Sequence, residues 1–396
     1  CSHTTLLSLP VLFILPPSRP FQNTVKMLVL AQNSSTFYIP NEFADNRIDK
    51  NYNFSGSFKV VRKFDAADGT RSVLIVKFQN PFESISRAKW VYREIHFLRT
   101  LNHEHIVKLC RTYKVDEDKT DSPSIYYIID YCGVQLHEKI EEGRYSMELV
   151  KTWTTELLRA IVYLHSKGII HGNLHPGNIC IDAANKLTIS GFGNAHESIV
   201  DSSNNENAEA ESISIYMPIE QLISWSGEYD EKVDVWSVAT ILCELILGQQ
   251  LFHGETSGEI LKSQIQQCGK IDTGFLKKIT SETKREFIVQ FSRKHERMDF
   301  IDFLKGKLKP ERGISDRGML ESEDYLRTFI DRTLQFNPEN RMSAQTALSH
   351  PFLQLLHPWE QPLPKDEKEA LIELEKHIRK EIASAPMKTE FIQANH

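Results

Sequence analysis

The sequence predicts an α+β chain in two unequal lobes, a small antiparallel sheet with one helix followed by a mainly helical part. Three observations predict it. Short β-like runs crowd the first third, at 58–64 (FKVVRKF), 72–78 (SVLIVKF) and 125–131 (IYYIIDY). One amphipathic helix interrupts them, and beyond residue 135 the apolar spacing turns helical.

Taken in order, the first element is the stretch LLSLPVLFILPP, too short and too proline-broken to span a bilayer. No basic segment or small-residue cleavage site brackets it, so residues 1–34 are expected to be a disordered or artefactual extension, with Met27 as a start. The runs at 58–64 and 72–78 flank the turn-prone DAADG and read as a hairpin. In 84–101, Val91, Ile95, Leu98 and Leu101 share one helical face, which must lie against the sheet. The CGVQL that follows the third run reads as a hinge at 130–134. Helix 146–168 carries Val150, Trp153, Leu157, Ile161 and Leu164 on one side and offers Gly168 for a left-handed cap. The run 234–248 is apolar on nearly every side, as a helix buried inside a large lobe would be. The acidic, low-complexity stretch 194–212 is expected to be a mobile loop.

With 47 basic and 53 acidic residues in 396, the chain lacks the electrostatic footprint of a nucleic-acid binder, and SRKHER (292–297) reads as a solvated face. Six cysteines without close pairs suggest neither a metal knuckle nor a disulfide framework and favour a reduced, intracellular compartment, cytoplasmic or nuclear. Neither nucleic acid nor membrane is expected as a partner.

Seven stretches follow one another: LIVKF, YREIHFL, IIHGNLHPGN, GFG, YMPIEQL, VDVWS and NPENRMSAQTALSHPF. In this order they resemble the signatures of protein kinases. NPFESISRAKWVYREIHFLRTLNHEHIV, and GFLKKITSETKREFI in a long insertion after LFHGETSGEIL, resemble the mitogen-activated protein kinases. The likeness is to their stress-activated branch, often called p-thirty-eight. The resemblance implies a bilobal protein-kinase-like fold with an N-lobe at 35–129, a hinge at 130–134 and a C-lobe at 135–353 that holds the family's insertion. It also implies that 354–396, with the amphipathic DEKEALIELEKHIRKEI, packs back on the N-lobe.

For the site, the resemblance makes Lys77 the third-strand lysine that pairs with Glu94, an ion pair that serves catalysis or simply holds helix to sheet. Gly56, Val61, Ile75, Ile129 (the gatekeeper position), Cys132 and Asn178 would line the nucleotide site, with Asn178 a weak metal ligand. Arg341 would pair with Glu220. Leu98, Leu109, His171 and Phe192 would form the packing column anchored by Asp234.

The working charges are missing from this outline. Phosphoryl transfer relies on positioned groups that neutralise charge, yet the general-base position is Asn173, whose amide accepts no proton near neutral pH. The phosphate-steadying lysine is His175, and the magnesium-chelating aspartate is Gly191. The phosphate-covering loop NFSGSFKVV keeps only Gly56 where the family has three glycines, so phosphate should be cradled poorly. Ile75 and Ile129 either fill the adenine space or are ordinary core. The Thr-x-Tyr switch has no counterpart, and the arginine that would receive its phosphate is Gly172.

The sequence therefore reads as a degenerate, inactive member that needs no cofactor and serves as scaffold or allosteric regulator for protein partners of a MAP kinase cascade, through a C-lobe docking surface. A weakly active serine/threonine kinase and a nucleotide-binding switch, with ATP held at weak or no magnesium, are the alternatives. The acidic cluster expected after the last helix is reduced to Glu360, Asp366 and Glu367.

Overall fold

The computed structural model describes residues 27–32, 35–40, 47–55, 59–65, 71–115, 124–143, 145–197, 213–223, 230–269, 271–279, 281–307 and 323–354. Gly56, residues 198–212 of the acidic insert and the C-terminal extension after Gln354 lie outside them.

The described residues begin inside the stretch expected to be an extension. Strand β1 (Met27–Gln32) pairs antiparallel with β2 (Ser35–Pro40), Met27 opposite Pro40. MLVLAQ thus belongs to a hairpin rather than to an extension, because its Leu and Val residues favour an extended, paired backbone. A five-stranded antiparallel sheet follows, built from β3 (Arg47–Ser55), β4 (Lys59–Asp65), β5 (Ser72–Phe78), β6 (Leu109–Val115) and β7 (Ser124–Asp130) in the order β3-β4-β5-β7-β6. Helix α1 (Ile85–Thr100) lies between β5 and β6 in sequence, started by the Ser84 hydroxyl, which accepts from the Arg87 N–H.

Strand alternation divides this sheet into two faces. Leu74, Val76 and Phe78 join Val61, Tyr127 and Ile129 in the main core, against Val91, Phe97 and Leu98 of α1. Val73 and Ile75 turn the other way, into a separate cluster with Phe64, Tyr126, Ile128 and Ile39 of β2.

Residues 131–133 lead into β8 (Val134–Gln135), α2 (Leu136–Glu142) and α3 (Met147–Ser166). Gly133 is required there: its φ is +105°, and a Cβ would lie 2.0 Å from the Ile181 carbonyl oxygen. Short strands β9 (Ile169–Ile170), β10 (Ile179–Ile181), β11 (Leu187–Ile189) and β12 (His196–Glu197) make two small sheets in the order β11-β10-β8 and β12-β9. After α4 (Ile219–Leu222) comes α5 (Lys232–Leu247), where every residue from Val233 to Leu247 is buried, as the all-round apolar pattern demands. It ends on Gly248 at φ +63°. Helices α6 (Ser257–Cys268), α7 (Thr273–Lys278), α8 (Glu282–Ser292) and α9 (Phe300–Lys307) form the insertion and its flank, and Glu323–Thr333, Ala344–Leu348 and Pro351–Gln354 close the lobe.

Cys110, Cys132, Cys180, Cys243 and Cys268 are free thiols. Among the described residues no helix is long and apolar enough to cross a membrane.

Candidate active-site cleft

The inner face of the sheet and the loops after β9 and β11 enclose the expected site. Here the structure corrects the lysine. Val76 stands opposite Tyr127 and Lys77 opposite Tyr126, so Val76 points inward and Lys77 outward, its ammonium 5.7 Å from the centre of the Tyr126 ring. Glu94 lies on the inner side, 1% exposed, and accepts a 3.0 Å hydrogen bond from the Tyr127 hydroxyl. Lys77 thus lies on the outer face of the sheet and Glu94 on the inner side, where the neighbouring position of β5 is valine. The same parity corrects Ile75, which is buried on the outer face. Leu74, opposite Ile129, is the bulky residue on the cleft side, with Val61 opposite Val76. Cys132 is partly buried between β7 and β8.

Asp234 fixes the backbone of the catalytic loop. Its carboxylate, 0% exposed, accepts from the His171 N–H at 3.0 Å and the Gly172 N–H at 2.9 Å, and meets His165 Nε2 at 2.9 Å. Burial pushes this carboxyl up, but the hydrogen bonds from His165 and from the His171 N–H bring it net below the ordinary aspartate value. Burial holds His171 neutral. The His171 ring lies 5.0 Å from the Phe192 ring, and both are buried. Leu98 and Phe192 belong to the main core, and Leu109 packs against it.

At the chemical positions the side chains of Asn178 and His175 bond to neighbouring backbone groups. Asn178 donates from Nδ2 to the Asn173 carbonyl at 3.0 Å. His175 Nδ1 accepts from the Gly177 N–H at 3.1 Å, so that nitrogen carries no proton in this arrangement. Gly191 has φ +83°, and a Cβ there would lie 2.4 Å from Asn178 Cγ. The Asn178 carboxamide therefore fills the space next to position 191. Gly191→Asp is expected to destabilise the chain by about 1–3 kcal/mol, since it combines a left-handed backbone with a collision that must displace Asn178. Urea denaturation of the variant measures this, and an unchanged midpoint would show that Asn178 yields freely.

The stretch YMPIEQL (216–222), which resembles the end of a kinase activation segment, is firmly held. Tyr216 donates to Glu244 in α5 and its carbonyl accepts from the Ser237 hydroxyl at 2.9 Å. Gln264 of α6 donates to the Met217 carbonyl at 2.7 Å, and Gln221 to the Gly172 carbonyl at 3.2 Å. Glu220 pairs with Arg341 at 2.7 Å. Burial pushes the Glu244 carboxyl up to about 6 despite the bond from Tyr216. The folded state thus holds this proton more tightly than the unfolded chain, and the stability contributed is present at low pH and lost as pH rises through about 6. Glu244→Gln is expected to gain about 2 kcal/mol on wild type between pH 4.5 and 7, the shift of roughly 1.5 units converted; denaturation curves across that range check it.

Val76, Trp90, Tyr127 and Gln221 are residues that sequence reasoning missed. For Val76 the run SVLIVKF, apolar on both faces, carries no local signal, and for Gln221, which reaches a backbone carbonyl across the fold, the sequence carries none either.

A small sheet carrying one helix, a hinge, a helical lobe built on a buried central helix, and a loop bonded to that helix's aspartate together define the protein kinase architecture. Residues 55–353 match the protein kinase domain family, and the chain belongs to that family. Its relatives lie among the p38-type mitogen-activated protein kinases. The mitogen-activated protein kinase pmk-1 of Caenorhabditis elegans is 31% identical over 295 residues, 74% of this chain and 72% of the worm protein. The mitogen-activated protein kinase p38a of Drosophila melanogaster is 28% identical over 304 residues, 76% of this chain and 77% of the fly protein. Human mitogen-activated protein kinase 12 is 27% identical over 310 residues, with 76% and 77% covered.

Proposed function

We propose that this chain is a catalytically inactive, MAP-kinase-like protein that acts by binding protein partners of a kinase cascade, as scaffold or allosteric regulator. The observation that carries the reading is Val76 at the inner-face position beside Glu94, with Lys77 turned to the opposite face. With it go Asn173 for the base, His175 for the phosphate-steadying cation and Gly191 for the metal carboxylate. A general base is typically worth about 10²–10⁴-fold, and such losses within one unit are not additive, but all four remove charge from the path of the phosphoryl group.

The residues do not fit a magnesium–nucleotide complex. Magnesium takes oxygen ligands in near-octahedral geometry, usually including carboxylate, whereas the expected positions, Asn178 and Gly191, offer one neutral amide oxygen and no carboxylate. No step is routed through the metal.

Partner binding is supported by an apolar cleft of about 330 Å³ on the helical lobe, lined by Leu222, Ile223, Leu261, Phe287 and Ile288. Phe287 remains 41% exposed there, as an anchor awaiting cover would be.

Thermal-shift titration of the purified chain with ATP, with and without magnesium, tests the reading. No shift under either condition is expected. A magnesium-independent shift would favour a nucleotide-binding switch, and a magnesium-dependent one would overturn the proposal.

A further inference from the structure

In protein kinases the strand lysine and the helix glutamate must come together, and helix position is a point of control. Here Val76 replaces the lysine side of that contact, yet α1 still sits against the sheet and against the turn at 192–194. We infer that α1 is held inward by an aromatic clasp centred on Trp90 and Tyr127, a device that needs neither lysine nor nucleotide.

Two contacts make the clasp. Tyr127 on β7 donates its hydroxyl to buried Glu94 at 3.0 Å. Burial pushes the tyrosine pKa well up, so the hydroxyl stays a donor over any physiological pH. Trp90, one turn before Glu94 on the same helix side, lies over Gly193: a Cβ on that glycine would be 2.1 Å from Trp90 Cε2 and 2.3 Å from Nε1. The indole is thus packed against bare backbone, which a residue with any side chain at 193 would not permit.

Phe78 joins the two contacts. Its ring is 5.9 Å from Trp90, edge to face, and 5.3 Å from Tyr127. Such pairings favour a fixed mutual geometry of the rings. Together Phe78, Trp90, Tyr127 and Glu94 bind α1 to β5, β7 and the Phe192–Gly193 turn.

The consequence is regulatory. The helix, the packing column and the start of the activation segment form one assembled surface at all times, so partners meet a constitutive conformation rather than one switched by nucleotide. The inference rests on packing and stands apart from whether the chain transfers phosphate.

Hydrogen–deuterium exchange of the full chain without nucleotide tests it. Wild-type amides in 85–100 should be protected, and saturating magnesium-ATP should leave them unchanged. Tyr127→Phe, which removes the hydroxyl that bonds to Glu94, and Trp90→Ala should each speed exchange across α1 about tenfold or more, while α5 stays protected. If Trp90→Ala also exposes α5, that variant has unfolded and Tyr127→Phe decides. Wild-type exchange in α1 for Tyr127→Phe, or protection of wild-type α1 only when magnesium-ATP is added, would overturn the clasp.

Discussion

Arg341→Ala is expected to destabilise the chain by about 3–5 kcal/mol, much of the stability a domain normally has. Arg341 is 1% exposed and Glu220 2% exposed. Its Nη1 donates to Glu220 at 2.7 Å and to the Lys232 carbonyl at 2.9 Å, while Nη2 and Nε reach the Gln335 carbonyl at 2.8 and 3.0 Å. The guanidinium also lies 5.2 Å from the centre of the Trp236 ring. Removing it strands a buried carboxylate and two carbonyls, those of Lys232 and Gln335. The cost comes from that stranded charge rather than from the pair's net worth, so the double variant Arg341→Met with Glu220→Leu should lose markedly less. Urea denaturation of both distinguishes the cases, and a loss below about 1 kcal/mol for the single variant would refute the role given to the pair.

Asp234→Ala is expected to cost a similar amount, about 3–5 kcal/mol, because two buried backbone N–H groups and His165 lose their acceptor at once. The pH dependence has a definite sign. The folded carboxyl is held net below its ordinary value, so the stability it contributes is present above the unfolded pKa and lost as pH falls through the folded one. The gap between wild type and Asp234→Ala should therefore be full at pH 7 and shrink in acid below about pH 4. A gap that stays constant into acid would mean that the carboxylate charge is not what anchors the loop.

Much of this was legible before any coordinates. The helices at 85–100, 147–166 and 232–247 follow from apolar spacing, and Gly168, expected as a left-handed cap, has φ +68° just past the second of them. The Glu220–Arg341 pair and the Asp234 anchor followed from the order of motifs. The lysine did not. SVLIVKF is apolar on both faces, because one side of the sheet packs on α1 and the other on Ile39 and Tyr126, so alternation gives no clue to which residues face the cleft. Lys77 drew the assignment as the lone cation in the run. Its parity is set by pairing with β7, a contact some fifty residues away in sequence, and such register is fixed by burial on both sides rather than by local pattern. Trp90 on Gly193 was hidden for the same reason: nothing in either segment announces the other. The β1–β2 hairpin was missed because it follows a stretch read as a leader-like extension.

Phosphoryl transfer itself is the most direct test that the chemistry has been lost. The purified full chain, given radiolabelled ATP with magnesium or manganese and a serine/threonine protein substrate, is expected to transfer no phosphate above a protein-free blank, whether to the substrate or to itself. Transfer that scales with the amount of chain and disappears in Asn178→Ala would contradict it.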